Sequence, residues 1–410
     1  TKFEKAGKST DTKMIEVVGT GFRHPVAAKF GPFTVETFLG SSTSMAVRMP
    51  FGLMPPGTYD VTVINPDTQY NVLENAFQIT DGGKVPESHY TADSTIPTGI
   101  EPAAQSFMAY DARLRGEFFV AAGNLEGDKA EEIVTGTGVR FGPHIRTFSR
   151  SGAVLRSFFA YSPRLRSGIR LAVGDLEGDG LREIVTVAGP SGRPHVQVFN
   201  ASGRLLTPGF FALDGKFSGG AFVAVGDVNG DKKDEIVVSA GRGGSPLVTI
   251  HKKDGTKIAS FLAYDAGSRG GVRVAVADVD GDGVDEILTV PDRGTTHVRR
   301  FRLEGSQIKL AHPGFFAFSS AFKNGASVAG ADLDGDGNDE IVVGMGEGSA
   351  PHVRVFSHTG KQEDDFYGFA PGFMGGVNVA SGDVDGDGVD EILVIPRSGG
   401  SPNVRVISRE

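Results

Sequence analysis

The 410-residue chain contains no cysteine and no tryptophan. The first absence excludes a disulfide framework and a thiolate metal site. The second removes the largest stacking ring a sugar-binding site can use. No run approaches the roughly 20 apolar residues that span a bilayer, so no membrane insertion is expected. No signal-peptide pattern opens the chain, as expected of a mature form. No segment sustains a 3.6-residue apolar period, which leaves little room for helices. A formal charge of −9 disfavours nucleic acid as a partner. Catalytic motifs are missing as well: no Gly-x-Ser-x-Gly elbow, no His-Glu-x-x-His and no phosphate-binding loop. A non-catalytic protein is therefore expected, although fold alone never excludes catalysis.

Glycine is what the chain has in excess, with 59 residues against an average of about 7%. It is spread evenly, as frequent tight turns between short strands require. The turns are periodic. Aromatic-rich phrases of the type Phe-Phe-Ala-Tyr begin at Phe107, Phe158, Phe210, Phe261, Phe315 and Phe366, spaced 51, 52, 51, 54 and 51 residues apart. After each come a glycine-bearing loop, an alternating run such as 272–278, an acidic loop, a run such as 235–238, a glycine turn and a second alternating run such as 351–356. Each unit reads as four short strands. Radial repetition of such units predicts an all-β fold, a six-bladed β-propeller over 102–410. The last unit lacks its fourth strand, and residues 103–110 are an orphan fourth strand, so the two should pair and close the ring. Closure removes the edges that an open array exposes.

The front of the chain is different. Residues 1–13 are a polar tail and 82–101 a linker rich in Gly, Pro, Ser and Thr. Between them, 14–81 carries strand phrases at 17–22, 44–50, 55–66 and 75–80. Its Pro-Gly-Thr-Tyr-Asp-Val strand, Asn-Pro turn and Ala-Phe strand resemble the IPT/TIG family, which implies an immunoglobulin-like β-sandwich.

Six acidic loops punctuate the repeats. Oxygen-bearing residues recur at positions 1, 3, 5 and 9 of each: Asn124, Glu126, Asp128 and Glu132; Asp175, Glu177, Asp179 and Glu183; Asp227, Asn229, Asp231 and Glu235; Asp278, Asp280, Asp282 and Glu286; Asp332, Asp334, Asp336 and Glu340; Asp383, Asp385, Asp387 and Glu391. Calcium takes six to eight oxygens, and alternate residues of a tight loop can aim at one centre. Glutamate at position 9 is expected to bind through both oxygens, and glycine at 6 permits the sharp turn. Such crowded carboxylates repel one another unless a cation or protons sit among them. Strands flank the loops and Glu sits at 9, which excludes an EF-hand; magnesium's strict octahedral demand disfavours it. Up to six Ca²⁺ are expected, one per blade. Lys129 and Lys232 replace the position-6 glycine, and Asn124 and Asn229 each replace a carboxylate, so the loops at 124 and 227 should bind weakest. Extracellular calcium modules work at about 10⁻⁴–10⁻³ M, which places the protein outside the cell or on its surface.

With these loops in view, the repeat region resembles the FG-GAP (VCBS-type) propeller family, known from the head of integrin α subunits. It departs from that pattern in having Glu at position 9 throughout and six units where the integrin head has seven.

The opposite face should be basic. Second-to-third strand loops carry Arg140, Arg193, Arg242, Arg293 and Arg397. Blade-to-blade loops carry Arg113, Arg115, Arg164, Arg166, Lys216, Arg269 and Lys323, against six acids on the same face: Asp111, Glu117, Asp214, Asp265, Asp292 and Glu347. An anionic partner, an acidic glycan or a protein's carboxylates, is expected there. His144, His195, His297 and His352 recur at the start of third strands, with Leu247 and Asn403 breaking the series. One per blade keeps them too far apart for a metal site, so packing or turn hydrogen bonding is expected. The aromatics Phe315, Phe316 and Phe318 are read as inter-sheet core. The resulting expectation is extracellular adhesion or scaffolding, with three rivals: a lectin-like module, a polysaccharide-active enzyme, and a surface-layer or filament component.

Overall fold

Second strands of the repeats are apolar on both faces, and this decides where they sit. Segments such as Glu183–Ala188 and Glu391–Pro396 are buried along their whole length, while fourth strands such as Val154–Phe159 are largely exposed. A computed structural model describes residues 105–319 and 322–409 in full, and the backbone of six strands between residues 13 and 79. Those residues form two compact units, Thr1–Ile100 and Glu101–Glu410.

In the first unit, hydrogen bonds join Lys13–Val18, Ala27–Phe30, Phe33–Ser41, Ser44–Met49, Gly57–Ile64 and Tyr70–Ile79 in spatial order first, fourth, third, second, fifth, sixth. All pairs are antiparallel. The side chains, and the loops that would complete the IPT/TIG comparison, lie outside the described residues.

The second unit is six antiparallel sheets of four strands each. The blades start at Phe118, Ile169, Ala221, Val272, Ala326 and Val377. In blade 6 the fourth strand is Gln105–Met108, paired with Asn403–Ile407 through Val404↔Phe107 and its neighbours. First strands alternate their faces between neighbouring blades and so build the inter-blade core. Phe118, Ile169 and Val272 are fully buried; each such side chain contributes about 1.5–3 kcal/mol.

Glycine at the entry to the inner strand has a steric cause. Gly168 has φ 61°, and a Cβ there would lie 2.1 Å from the backbone carbonyl carbon of Gly138 in the preceding blade. Gly220, Gly325 and Gly376 meet the preceding blade in the same way. Blades approach too closely here for a side chain.

The aromatic phrases divide into two roles. The first aromatic packs on the end of the next blade's third strand, as in Phe107–Phe148, Phe158–Phe199 and Phe315–Phe356 at 4.7–5.3 Å between centroids. The second faces out. Phe159, Phe211 and Phe316 are 47%, 47% and 49% exposed, which corrects the reading of Phe316 as core. Each packs on the histidine opposite it, stacked in His144–Phe159, His297–Phe316 and His352–Tyr367 and edge-on in His195–Phe211, 4.6–4.9 Å apart. Where histidine is missing, its partner changes too, to Leu247↔Leu262 and Asn403↔Met108. These pairs cap the outer edge of each blade.

Candidate functional site

The acidic loops connect first to second strands and so lie on one face. In each, the position-1 side chain organises the turn. Asp332 Oδ1 accepts the N–H groups of Gly335 and Asp336, and Oδ2 that of Gly337. Asp175, Asp227 and Asp383 do the same. The turn needs left-handed backbone at positions 4 and 6. Lys232 adopts it at φ 67° in place of glycine, and Lys129 does not.

Three loops bring acidic oxygens within 4.8 Å of one another: Asp278, Asp280 and Asp282; Asp332, Asp334 and Asp336; Asp383, Asp385 and Glu391. The other three differ for visible reasons. Asn124 turns its amide onto the carbonyl of Asp128. Asn229 donates to Glu235. In the loop at 175, Lys253 from the next blade reaches between Glu177 and Glu183. That third case adds to the two weak loops expected from sequence, because the competing cation comes from another repeat. Arg302, from the blade that carries the loop at 278, pairs with Asp280, Asp282 and Glu286, and Arg150 pairs with Asp385 at 2.8 Å. No cationic side chain is paired with the loop at 332 among the described residues.

Glutamate at position 9, which can bind through both oxygens, has one of them engaged within its own loop in four of the six. In the loops at 124, 175, 332 and 383 its Oε2 accepts the position-2 N–H, at 2.8–3.2 Å. A strand begins at this residue, so its side chain ties the loop's start to its end. Glu286 is the exception: both of its oxygens are buried without a hydrogen-bond partner among the described residues. Arg302 approaches it only to 3.6 Å, and a buried carboxylate without close donors suits a cation. The residues therefore fit a hard, oxygen-liganded divalent ion.

Burial, and then the neighbouring aspartates, push these carboxyls up: Glu286 and Glu340 to about 7, Glu391 to about 6 and Glu235 to about 8. The sign for stability follows. A group raised in the folded state favours folding while it is protonated. That contribution is complete below its ordinary value of 4.5 and is lost as pH climbs through 6 to 8. The thermal midpoint of the metal-free protein should thus fall between pH 5 and 8. Calorimetry in metal-free buffer checks this; a rising midpoint would contradict it.

Position 8 was missed by the sequence reading. Its N–H donates to the position-1 carbonyl of the preceding blade at all six junctions, from Glu131, Arg182, Asp234, Asp285, Asp339 and Asp390, at 2.8–2.9 Å. The Asp234 and Asp339 carboxylates also accept the position-1 N–H groups of Asp175 and Asp278. Each acidic loop is therefore stitched to the next. An acid stands directly before Glu at position 9 in five of the six loops, but the bond shared by all six is a backbone one.

The opposite face holds a funnel on the propeller axis. The second residue of each inner strand points to the axis, which gives the ring Phe119, Arg170, Phe222, Arg273, Ser327 and Asn378. Arg170 and Arg273 lie over the Phe119 and Phe222 rings at 4.6–5.7 Å, and Arg273 donates to Asn378 across the channel. Above them Asp292 is buried among Arg242, Arg273 and Arg397, at 2.6, 2.7 and 2.5 Å. Burial alone would raise the Asp292 pKa, but the three guanidiniums outweigh it and hold it far below the usual range. Burial and Arg273 lower Arg397 to about 9 against the pull of Asp292.

The five arginines expected to form the ligand face are not equivalent. Arg140, Arg242 and Arg397 line the funnel. Arg397 is only 2% exposed, a correction to its reading as a surface loop residue. Arg293 pairs with Glu347 at 3.4 Å. Arg193 turns back onto the Gly215 carbonyl and the Phe211 ring.

The FG-GAP-like repeat family matches residues 175–238, 227–289 and 332–394. No curated protein matches the chain. Among solved structures, the chain is similar to rhamnogalacturonan lyase YesW (12% identity, 98% of this chain and 88% of that one, TM-score 0.40). It is also similar to the BP39L lectin from Burkholderia pseudomallei (14%, 97% and 96%, TM-score 0.46) and to AofleA from Arthrobotrys oligospora (9%, 74% and 90%, TM-score 0.48). At these identities and scores, none of the three bears on what this chain binds.

Proposed function

From the premise that its repeats are FG-GAP-like and form a six-bladed propeller, we propose that this chain is an extracellular, non-catalytic calcium-binding module for adhesion or scaffolding. Its acidic loops hold Ca²⁺ and stiffen the ring, and its opposite face takes a protein or glycan. The observation that carries the calcium reading is the three-acid cluster found in the loops at 278, 332 and 383, built from positions 1, 3 and 5 in the first two and from positions 1, 3 and 9 in the third. The position-8 bonds would pass the rigidity of a filled loop to the next blade. Sites of this kind fill at extracellular calcium and stay largely empty in cytosol. Calorimetric titration of the metal-free protein tests the reading: about three sites should fill before the rest, and Asp334→Asn should remove one of them. Heat of binding for none, or equal affinity for all six, would overturn it. A lectin-like reading is favoured by one feature, the axial funnel.

A further inference from the structure

We propose that the axial funnel opposite the acidic loops is a binding pocket for a small hydroxy-carboxylate, the size and chemistry of one acidic sugar residue, held through Arg170, Arg242 and Arg397. The inference rests on reading that face as the ligand face, and it names what the face takes.

The repeats break their own rule on this face. Each repeat enters its inner strand at a glycine and leaves its second strand at another. Nine of these twelve positions are glycine. The other three are Glu117, Asp292 and Arg397, and all three line one cavity of about 360 Å³. Packing does not ask for charge there, since the other blades manage with hydrogen. Three charged exceptions converging on the axis mark a built site. Its volume sits at the low end of the about 300–1,000 Å³ usual for small-ligand pockets.

Positive charge predominates in the cavity wall. Five guanidiniums line the cavity against three carboxylates, with Arg273 behind the wall. Arg170, Arg273 and Arg397 are each more than nine-tenths buried, and each keeps at least one buried N–H group without a hydrogen-bond partner among the described residues. Glu117 meets Arg170 and Arg273 only at 3.5 Å. Buried positive charge in excess is costly until an anion joins it, and the planar guanidinium fork matches a carboxylate.

The wall is also chemically mixed. Glu117 and Glu347 are hydrogen-bond acceptors in the same wall, beside Phe222 and Pro190. A bare inorganic anion would be repelled by those carboxylates. A ligand carrying hydroxyl groups as well as one carboxylate can donate to them while the guanidiniums take its carboxylate.

The test is calorimetric titration of the calcium-loaded chain with D-galacturonate, D-galactose and an amide-capped aspartate. Saturable binding is expected for galacturonate alone. Arg242→Ala should weaken it about tenfold or more, the loss of a charge-assisted bond, and Arg242→Lys severalfold, since the charge stays and the fork goes. Arg269→Ala, on the same face but outside the cavity, should leave it unchanged. Equal weakening by Arg269→Ala would overturn the pocket in favour of diffuse attraction. Equal binding of capped aspartate would overturn the sugar assignment. No binding by a protein whose midpoint still rises with calcium would sink the pocket alone and leave the calcium reading standing.

Discussion

Millimolar calcium is expected to raise the thermal midpoint of this protein by roughly 15 °C over the chelated state. A ligand at a hundred times its dissociation constant stabilises the fold it binds by about 2.7 kcal/mol per site. Three sites of about 10⁻⁴ M at 10 mM calcium therefore supply about 8 kcal/mol. A propeller of this size moves about 2 °C per kcal/mol. The three loops should be those at 278, 332 and 383, where acidic oxygens already converge. Among them the loop at 332 should fill first, since no cationic side chain is paired with it among the described residues, and Arg302→Ala should tighten the loop at 278 by freeing Asp280 and Asp282. Calcium should also reverse the pH trend of the metal-free protein, because its ligands must shed their protons to bind. Differential scanning calorimetry with and without chelator, at pH 6 and pH 8, checks all of this. A shift under about 3 °C would mean that calcium is not structural.

How much of this was legible beforehand depends on whether a residue acts within its own repeat or across repeats. The six blades and the four-strand unit are local and periodic, and 51-residue spacing displays them. The position-1 aspartates are equally local, because each one builds its own turn. What escaped was contact between repeats. Lys253 disarms the loop at 175 from 76 residues away, so composition within that loop could not reveal it. Position 8 acts through its backbone N–H, which bonds to the preceding blade at all six junctions and which no side-chain pattern announces. The axial arginines were hidden differently. Arg170 and Arg273 occupy a position that Phe119 and Phe222 hold in other blades, and only the ring's geometry turns six unlike residues into one surface. Arg397 looked like a loop residue because its neighbours Ser398 and Gly399 are one. Its burial follows from the radial convergence of second strands, which no single repeat contains.

Asp292 is where that convergence should have its largest mutational effect. Its carboxylate is the shared counter-charge of Arg242, Arg273 and Arg397, two of them almost fully buried. Asp292→Asn keeps the shape and removes the charge. Breaking a buried pair in this way costs about 3–5 kcal/mol, because the partners are left uncompensated; the midpoint should fall by roughly 6–10 °C. Asp265→Asn, exposed on the same face, should stay within about 0.5 kcal/mol. The pH dependence identifies the cause. A carboxyl held below its ordinary 3.8 stabilises the fold fully above that value and loses its effect as pH falls through its own depressed range. The deficit of the variant should therefore be constant from pH 8 to about 4 and shrink only below that. A second substitution, Arg397→Gln, should recover part of the loss, since one unmatched charge leaves with it. The funnel adds a sharper consequence. With Asp292 neutral, the axial cluster gains a positive excess, so an anion in the cavity becomes its replacement. D-Galacturonate should then raise the midpoint of Asp292→Asn by more than it raises that of the unaltered protein, and D-galactose should raise neither. If galacturonate rescued both equally, or Asp292→Asn cost less than about 1 kcal/mol, water would be compensating the arginines and the axial cluster would not be waiting for an anion.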